Sequence, residues 1–260
     1  MARAFYAALV VLLPTPVAAA SPLQQARQDV QEKPSDPVGW EKLGSLLRRD
    51  RQWKEAEHSF RKALDLRAPS IQESLSGLGT ALFEQERFAE AIAHFRAAVV
   101  LSPERPQVHE NLALALEEDG QLEEAIQSLR RSLTLAPRNV KARNFLGELL
   151  TQATRFREAE ETFRESLAID PNRAETNRQM GDALLLRQAY EEALPHLSKA
   201  VQADMDGDQD PWKDLAYTLE FMGRDAEAEE LYRLVLQNTS AKPDLLWRIS
   251  RLAKSRGKPK

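Results

Sequence analysis

The sequence contains no cysteine, so no disulfide can brace the fold and no thiolate is available to a structural zinc site. Glycine is scarce, with 10 in 260 residues, and long runs pass without proline; both shortages favour helix. Long apolar runs are missing too. Phe5 to Leu13 is too short to span a bilayer, and Pro14 and Pro16 follow it. Basic residues are not in excess: the formal charge of −4 speaks against a general nucleic-acid binder.

Signatures of catalysis are equally absent. There is no Gly-x-Ser-x-Gly, phosphate loop or dinucleotide fingerprint, since Gly77-Leu78-Gly79 lacks the third glycine and a preceding strand. His58, His94, His109 and His196 include no i, i+4 pair, and all four read as solvated surface. Adjacent carboxylates such as Glu117-Glu118 and Glu160-Glu161 point different ways on a helix and read as solvated faces. Asp204, Asp206, Asp208 and Asp210 alternate like the start of a calcium loop. Gln209 stands where that loop needs glycine, and Leu215 where it needs glutamate, so a capped turn is expected there. No enzyme activity, cofactor or metal is expected.

What is present starts at the first residue. Arg3 precedes the apolar run, and Ala18-Ala19-Ala20 stands before Ser21; together they read as a cleaved secretory signal peptide over residues 1–20. With no cysteine at that point to carry a lipid, the expectation is a soluble exported protein in a bacterial periplasm. Charge is unevenly spread. Residues 241–260 carry seven basic side chains against Asp244, a balance of +6 that leaves −10 for the rest.

The dominant signal is a period. Leu112, Ala113, Leu116, Leu122, Ala125, Leu129 and Pro137 return 34 residues later as Leu146, Gly147, Leu150, Phe156, Ala159, Phe163 and Pro171. Ala56, Ala91, Ala125, Ala159, Ala193 and Ala228 mark six units at steps of 35, 34, 34, 34 and 35. Twelve residues before each stands a small residue: Gly44, Gly79, Ala113, Gly147, Gly181 or Ala216. A leucine or methionine precedes each small residue and a leucine follows three later, an apolar stripe on a first helix. Phe60, Phe95, Leu129, Phe163, Leu197 and Tyr232 follow the alanines on a second helix, which Trp53, Phe88, Leu122, Phe156 and Tyr190 open. Asp225 takes the opening place in the sixth unit and is expected to cap the helix. The units run 37–71, 72–105, 106–139, 140–173, 174–208 and 209–242. Residues 21–36 read as a linker or an N-terminal capping helix, and 243–260 as a basic capping helix and tail.

These residues resemble the tetratricopeptide repeat, with Trp40, Leu43-Gly44, Leu47, Ala56, Phe60 and Ala63 in the first unit. Departures are the missing terminal proline in units five and six, Asp225, and Ser132 and Ser166 in place of the third small alanine. The resemblance implies an all-α, right-handed superhelical solenoid of antiparallel helix pairs, the first helix of each lining a concave face. It further implies that ligand contacts come from places 2, 5, 9 and 12 of each first helix. Here those include Glu110, Leu114 and Glu117; Lys141, Asn144 and Glu148; Glu175, Arg178 and Asp182; and Lys213 and Tyr217. The basic and asparagine clamp of relatives that bind heat-shock chaperones is absent, since its places hold Glu41 and Ser45.

The expected function is a non-enzymatic scaffold holding a peptide or protein segment, in envelope assembly, secretion or maturation. The alternatives are a homo-oligomeric structural protein and an accessory subunit of an envelope enzyme complex. Neither nucleic acid nor membrane is an expected partner.

Overall fold

The computed structural model describes residues 21–203, 210–238 and 243–256, and among them all regular structure is α-helix. The expected signal peptide and Asp204, Asp206 and Asp208 lie outside the described residues. The chain falls into two compact units that divide at Gln85 and Glu86. The first holds α1 (Pro22–Glu32), α2 (Pro37–Arg49), α3 (Trp53–Asp65) and α4 (Ile71–Phe83). The second holds α5 (Phe88–Leu101), α6 (Pro106–Glu118), α7 (Leu122–Leu135), α8 (Val140–Gln152) and α9 (Phe156–Ile169). It continues with α10 (Ala174–Leu186), α11 (Tyr190–Ala203), α12 (Asp210–Phe221), α13 (Asp225–Asn238) and α14 (Pro243–Arg256). Within each unit every helix packs on the next, and α2 also meets α4, as α8 meets α10 and α10 meets α12. Stacked helical hairpins give this pattern, because each repeat buries its apolar face only against its neighbours.

The alanine ladder is the seam of the hairpins within each unit, and all six alanines are fully buried. The small residues opposite are small for a steric reason. A Cβ on Gly44 would stand 3.0 Å from the Phe60 ring, and one on Gly181 would stand 2.5 Å from Leu197. Between the first and second helices the chain turns through one residue of positive φ, at Arg51, Glu86, Gly120, Thr154, Gln188 and Gly223. The following amide reaches back to the helix, as Gln121 N–H does to the Leu116 carbonyl at 2.7 Å and Arg155 N–H to Leu150 at 2.8 Å. This closes each first helix in a Schellman-type cap, a geometry glycine adopts freely and other residues adopt under strain.

A second recurring device sits at the fourth place of the first helices. Trp40 donates to the carbonyl of Pro34 at 2.9 Å, Arg143 to Pro137 at 2.5 Å and Asn177 to Pro171 at 3.2 Å. His109 Nε2 makes the same contact with Pro103 at 2.8 Å. The bond fastens the preceding turn to the helix, satisfying a carbonyl left without a helical partner. His109 is thus buried rather than solvated, and His196 is half-buried with Nδ1 3.1 Å from Asn177 Oδ1. Burial, with Lys199 and Arg164 nearby, pushes the His196 imidazole below its usual pKa.

The residue after each ladder alanine also corrects the sequence reading. Glu160 is 3 % exposed, not a solvated face, and pairs with Arg164 one turn on at 2.9 Å and with Arg187 at 3.1 Å. Glu57 and Glu229 are buried at the same place and pair with Arg61 and Arg233. Ile92 and Ile126 fill it elsewhere. Asp225 is not the cap but the first residue of α13, where its charge favours the helix dipole.

At the start of the described chain, Ser21 caps α1 in a capping box with Gln24, and Ala26 and Val30 are buried. Arg27 pairs with Glu55 of α3 at 2.8 Å. At the other end α14 buries Leu245 and Leu252. Glu220 anchors it, accepting from the Tyr232 hydroxyl and from Arg248, both at 2.9 Å, and pairing with Arg251. Burial pushes the Tyr232 phenol up to about 12.

Candidate functional site

The eleven expected side chains lie on α6, α8, α10 and α12, all within the second unit. Leu114 is 42 % exposed, a large apolar side chain left in water on a helix whose other leucines are buried. One turn on, Glu117 accepts from Gln152 of α8 at 2.9 Å, so the ends of these two first helices adjoin. Burial pushes the Glu117 carboxyl above the usual carboxylate range; the Gln152 bond opposes this, and the charges of Glu118 and Glu148 add to it. Lys141 and Glu175 are exposed, the latter paired with Arg173 at 2.9 Å. Arg178 and Asp182, one turn apart on α10, pair at 3.0 Å.

On α12, Lys213 and Tyr217 are half-buried. The guanidinium of Arg248 lies 5.2 Å from the Tyr217 ring centre, and Phe221 packs 4.5 Å from the same ring and 4.9 Å from Tyr190. Phe221 is an exposed member of the cluster that the counting of places passed over, because it lies one residue beyond the twelfth.

Two of the eleven are turned into the packing. Glu110 accepts from Ser132 of α7 at 2.8 Å and from Asn139, the cap of α8, at 2.9 Å. It braces one repeat against the next, and Ser132 fills the place of a small alanine by donating to it. Asn144 is 2 % exposed and donates to Thr176 of α10 at 2.7 Å. Sequence alone could not separate these from their neighbours, since their partners stand 22 to 32 residues away.

The remaining row offers carboxylates, a guanidinium, a leucine and aromatic rings, which suit hydrogen bonding and apolar contact with a chain laid across the helices. Among the described residues no group of side chains could hold a metal ion, and no helix is long and apolar enough to cross a membrane.

Family models of the tetratricopeptide repeat match residues 41–107, 77–140 and 116–178, which together take in more than half of the chain. The chain belongs to the tetratricopeptide-repeat family. No curated protein matches the sequence significantly. Solved structures do. The C-terminal part of a tetratricopeptide-repeat protein from Cytophaga hutchinsonii superposes with a TM-score of 0.73 at 14% identity, over 87% of this chain and 93% of that one. A tetratricopeptide-repeat protein from Parabacteroides merdae gives 0.67 at 19% identity, over 89% and 87%. YrrB, described as a tetratricopeptide-repeat protein with an unusual peptide-binding site, gives 0.60 at 23% identity, over 71% and 94%. At such identities the likeness carries the fold alone, and it is the fold on which this tetratricopeptide-repeat protein builds its row of first-helix side chains.

Proposed function

We propose that this protein is a non-catalytic scaffold that holds an extended peptide or protein segment across the first helices α6, α8, α10 and α12. One observation carries the reading. Leu114 stands exposed on a first helix, at the place that Glu148 and Asp182 hold on the next two, while the leucines packed against second helices are buried. A rigid stack that presents apolar and charged groups together lowers the ordering cost of gripping an extended chain. The peptide-binding site named for YrrB supports the same use of the fold. The signal-like residues 1–20 place the scaffold, in this proposal, in a bacterial periplasm, serving envelope assembly, secretion or maturation.

The test is positional crosslinking in intact cells. A photo-crosslinking residue at Leu114 or Tyr217 should capture the same partner, while one at exposed Arg131 on the second helix α7 should not. Equal capture from both faces, or capture from Arg131 alone, would sink the proposal.

A further inference from the structure

The helix α14 begins at Pro243, 34 residues after Gln209, where the sixth unit begins. Its residues therefore occupy first-helix places. Leu245 and Leu252 fill the third and tenth and are buried, as Val108 and Ala115 are in α6 and Ala142 and Leu149 in α8. The second, fifth, ninth and twelfth places, those of the binding row, fall on Asp244, Trp247, Arg251 and Lys254, all exposed. An ion pair ties the two rows together, because Arg251 reaches Glu220 at the twelfth place of α12.

The chemistry of this end differs from that of the middle. Around α6 and α8 the row carries Glu117 and Glu148 beside Leu114. Around α14 the carboxylate of Glu220 faces both Arg248 and Arg251, with Lys254 one turn on and Asp244 in the first turn of the helix. The guanidinium of Arg251 lies 5.0 Å from the ring centre of Trp247, which is 59 % exposed. A second set of ring contacts, joined to the first through Glu220, runs from Arg248 through Tyr217 and Phe221 to Tyr190 of α11. Guanidiniums stacked on rings keep edge N–H groups available to a second carboxylate.

We infer that α14 is a seventh binding helix as well as a cap, and that this basic, aromatic end of the row takes an acidic peptide segment bearing aromatic or leucine side chains. The inference rests on the first-helix face being the binding face. Charge complementarity selects the occupant: Arg248, Arg251 and Lys254 outnumber Glu220 and Asp244, and cations set beside aromatic rings attract carboxylates and apolar groups together. The rings and the guanidiniums beside them extend across α11, α12 and α14, which suits an extended chain better than a flat bilayer surface.

The experiment uses the full chain and two fluorescent peptides. One alternates glutamate and leucine around a central phenylalanine, and the other has lysine for every glutamate. The acidic peptide should bind and the basic one should not. Lys254→Glu and Trp247→Ala should each weaken binding by about 10-fold or more. Melting should stay unchanged, since both side chains are exposed. No binding of the acidic peptide, or equal binding of the basic one, overturns the inference. So does binding that ignores both α14 substitutions but falls with Leu114→Asp; that result keeps the scaffold reading and removes α14 from it. Loss of phosphatidylglycerol vesicle binding in Lys254→Glu, with no peptide bound, would assign the helix to a membrane surface instead and overturn the inference too.

Discussion

Phe163 lies across Gly147 so closely that a Cβ added to the glycine would stand 2.4 Å from the ring. The third unit solves the same contact with Ala113 and Leu129, both fully buried. Gly147→Ala alone should therefore destabilise the protein by about 1–3 kcal/mol through overpacking. Adding Phe163→Leu recreates the pairing of the third unit and should recover much of that loss. Denaturant titration of both single variants and the double variant measures the coupling; strict additivity would show that the two residues do not constrain each other.

Thr154 holds φ at 58°, where its counterparts in the third and sixth units are Gly120 and Gly223. A β-branched residue is strained in that region by about 1–2 kcal/mol. Thr154→Gly is expected to raise the melting temperature despite the added freedom of the unfolded chain. An unchanged or lower melting point would mean that the Thr154 side chain makes a compensating contact.

Glu160 occupies a buried place that Ile92 and Ile126 fill in other units. Replacing a buried ion pair with a well-packed apolar side chain is often neutral or stabilising by about 1–4 kcal/mol. Glu160→Ile is expected to melt at or above the parent, leaving Arg164 and Arg187 free to reach water. Glu160→Ala, which leaves a gap, should melt lower, and the order of the two variants is the readout.

Acid should act on Glu117 in a particular direction. Its carboxyl is held above the usual range chiefly by burial, so the ionised form costs the folded state stability at neutral pH. That cost fades as pH falls through the raised pKa and is gone once the unfolded chain is protonated as well. Glu117→Gln should thus melt higher than the parent at neutral pH, with the difference vanishing near about pH 4. A difference that grows in acid would reverse the sign and disprove the assignment.

Asn144 and Leu114 should separate packing from binding. Asn144→Ala removes a buried bond to Thr176 and should cost about 1–3 kcal/mol of stability. Leu114→Asp changes an exposed side chain and should leave melting unchanged while reducing partner capture. A Leu114→Asp variant that melts early would place that leucine in the core instead.

The hairpins were legible because their signal is local and repeated. The buried alanines, the small residues opposite and the bulky openers of α3, α5, α7, α9 and α11 stand where the steps of 34 and 35 put them. The candidate row was legible in register only. Counting places finds Leu114, but it cannot tell that Asn144 at the fifth place is covered by Thr176, since that depends on a residue in the next repeat. Nor does local pattern reveal that Glu160 is buried: its arginines lie one turn away and 27 residues away, and a glutamate beside another looks solvated until both partners are seen.

The place shared by Ile92, Ile126 and Glu160 has a consequence for how such a chain can change over time. The berth accepts either a hydrocarbon or a carboxylate, provided the carboxylate travels with an arginine one turn downstream, as Glu160 does with Arg164. Each hairpin with a glutamate in that berth therefore carries its own neutralising arginine, and such a unit copied or swapped whole would bring its matched counterion along. Arrays built this way can lengthen or shuffle by duplication without stranding a charge in the interior.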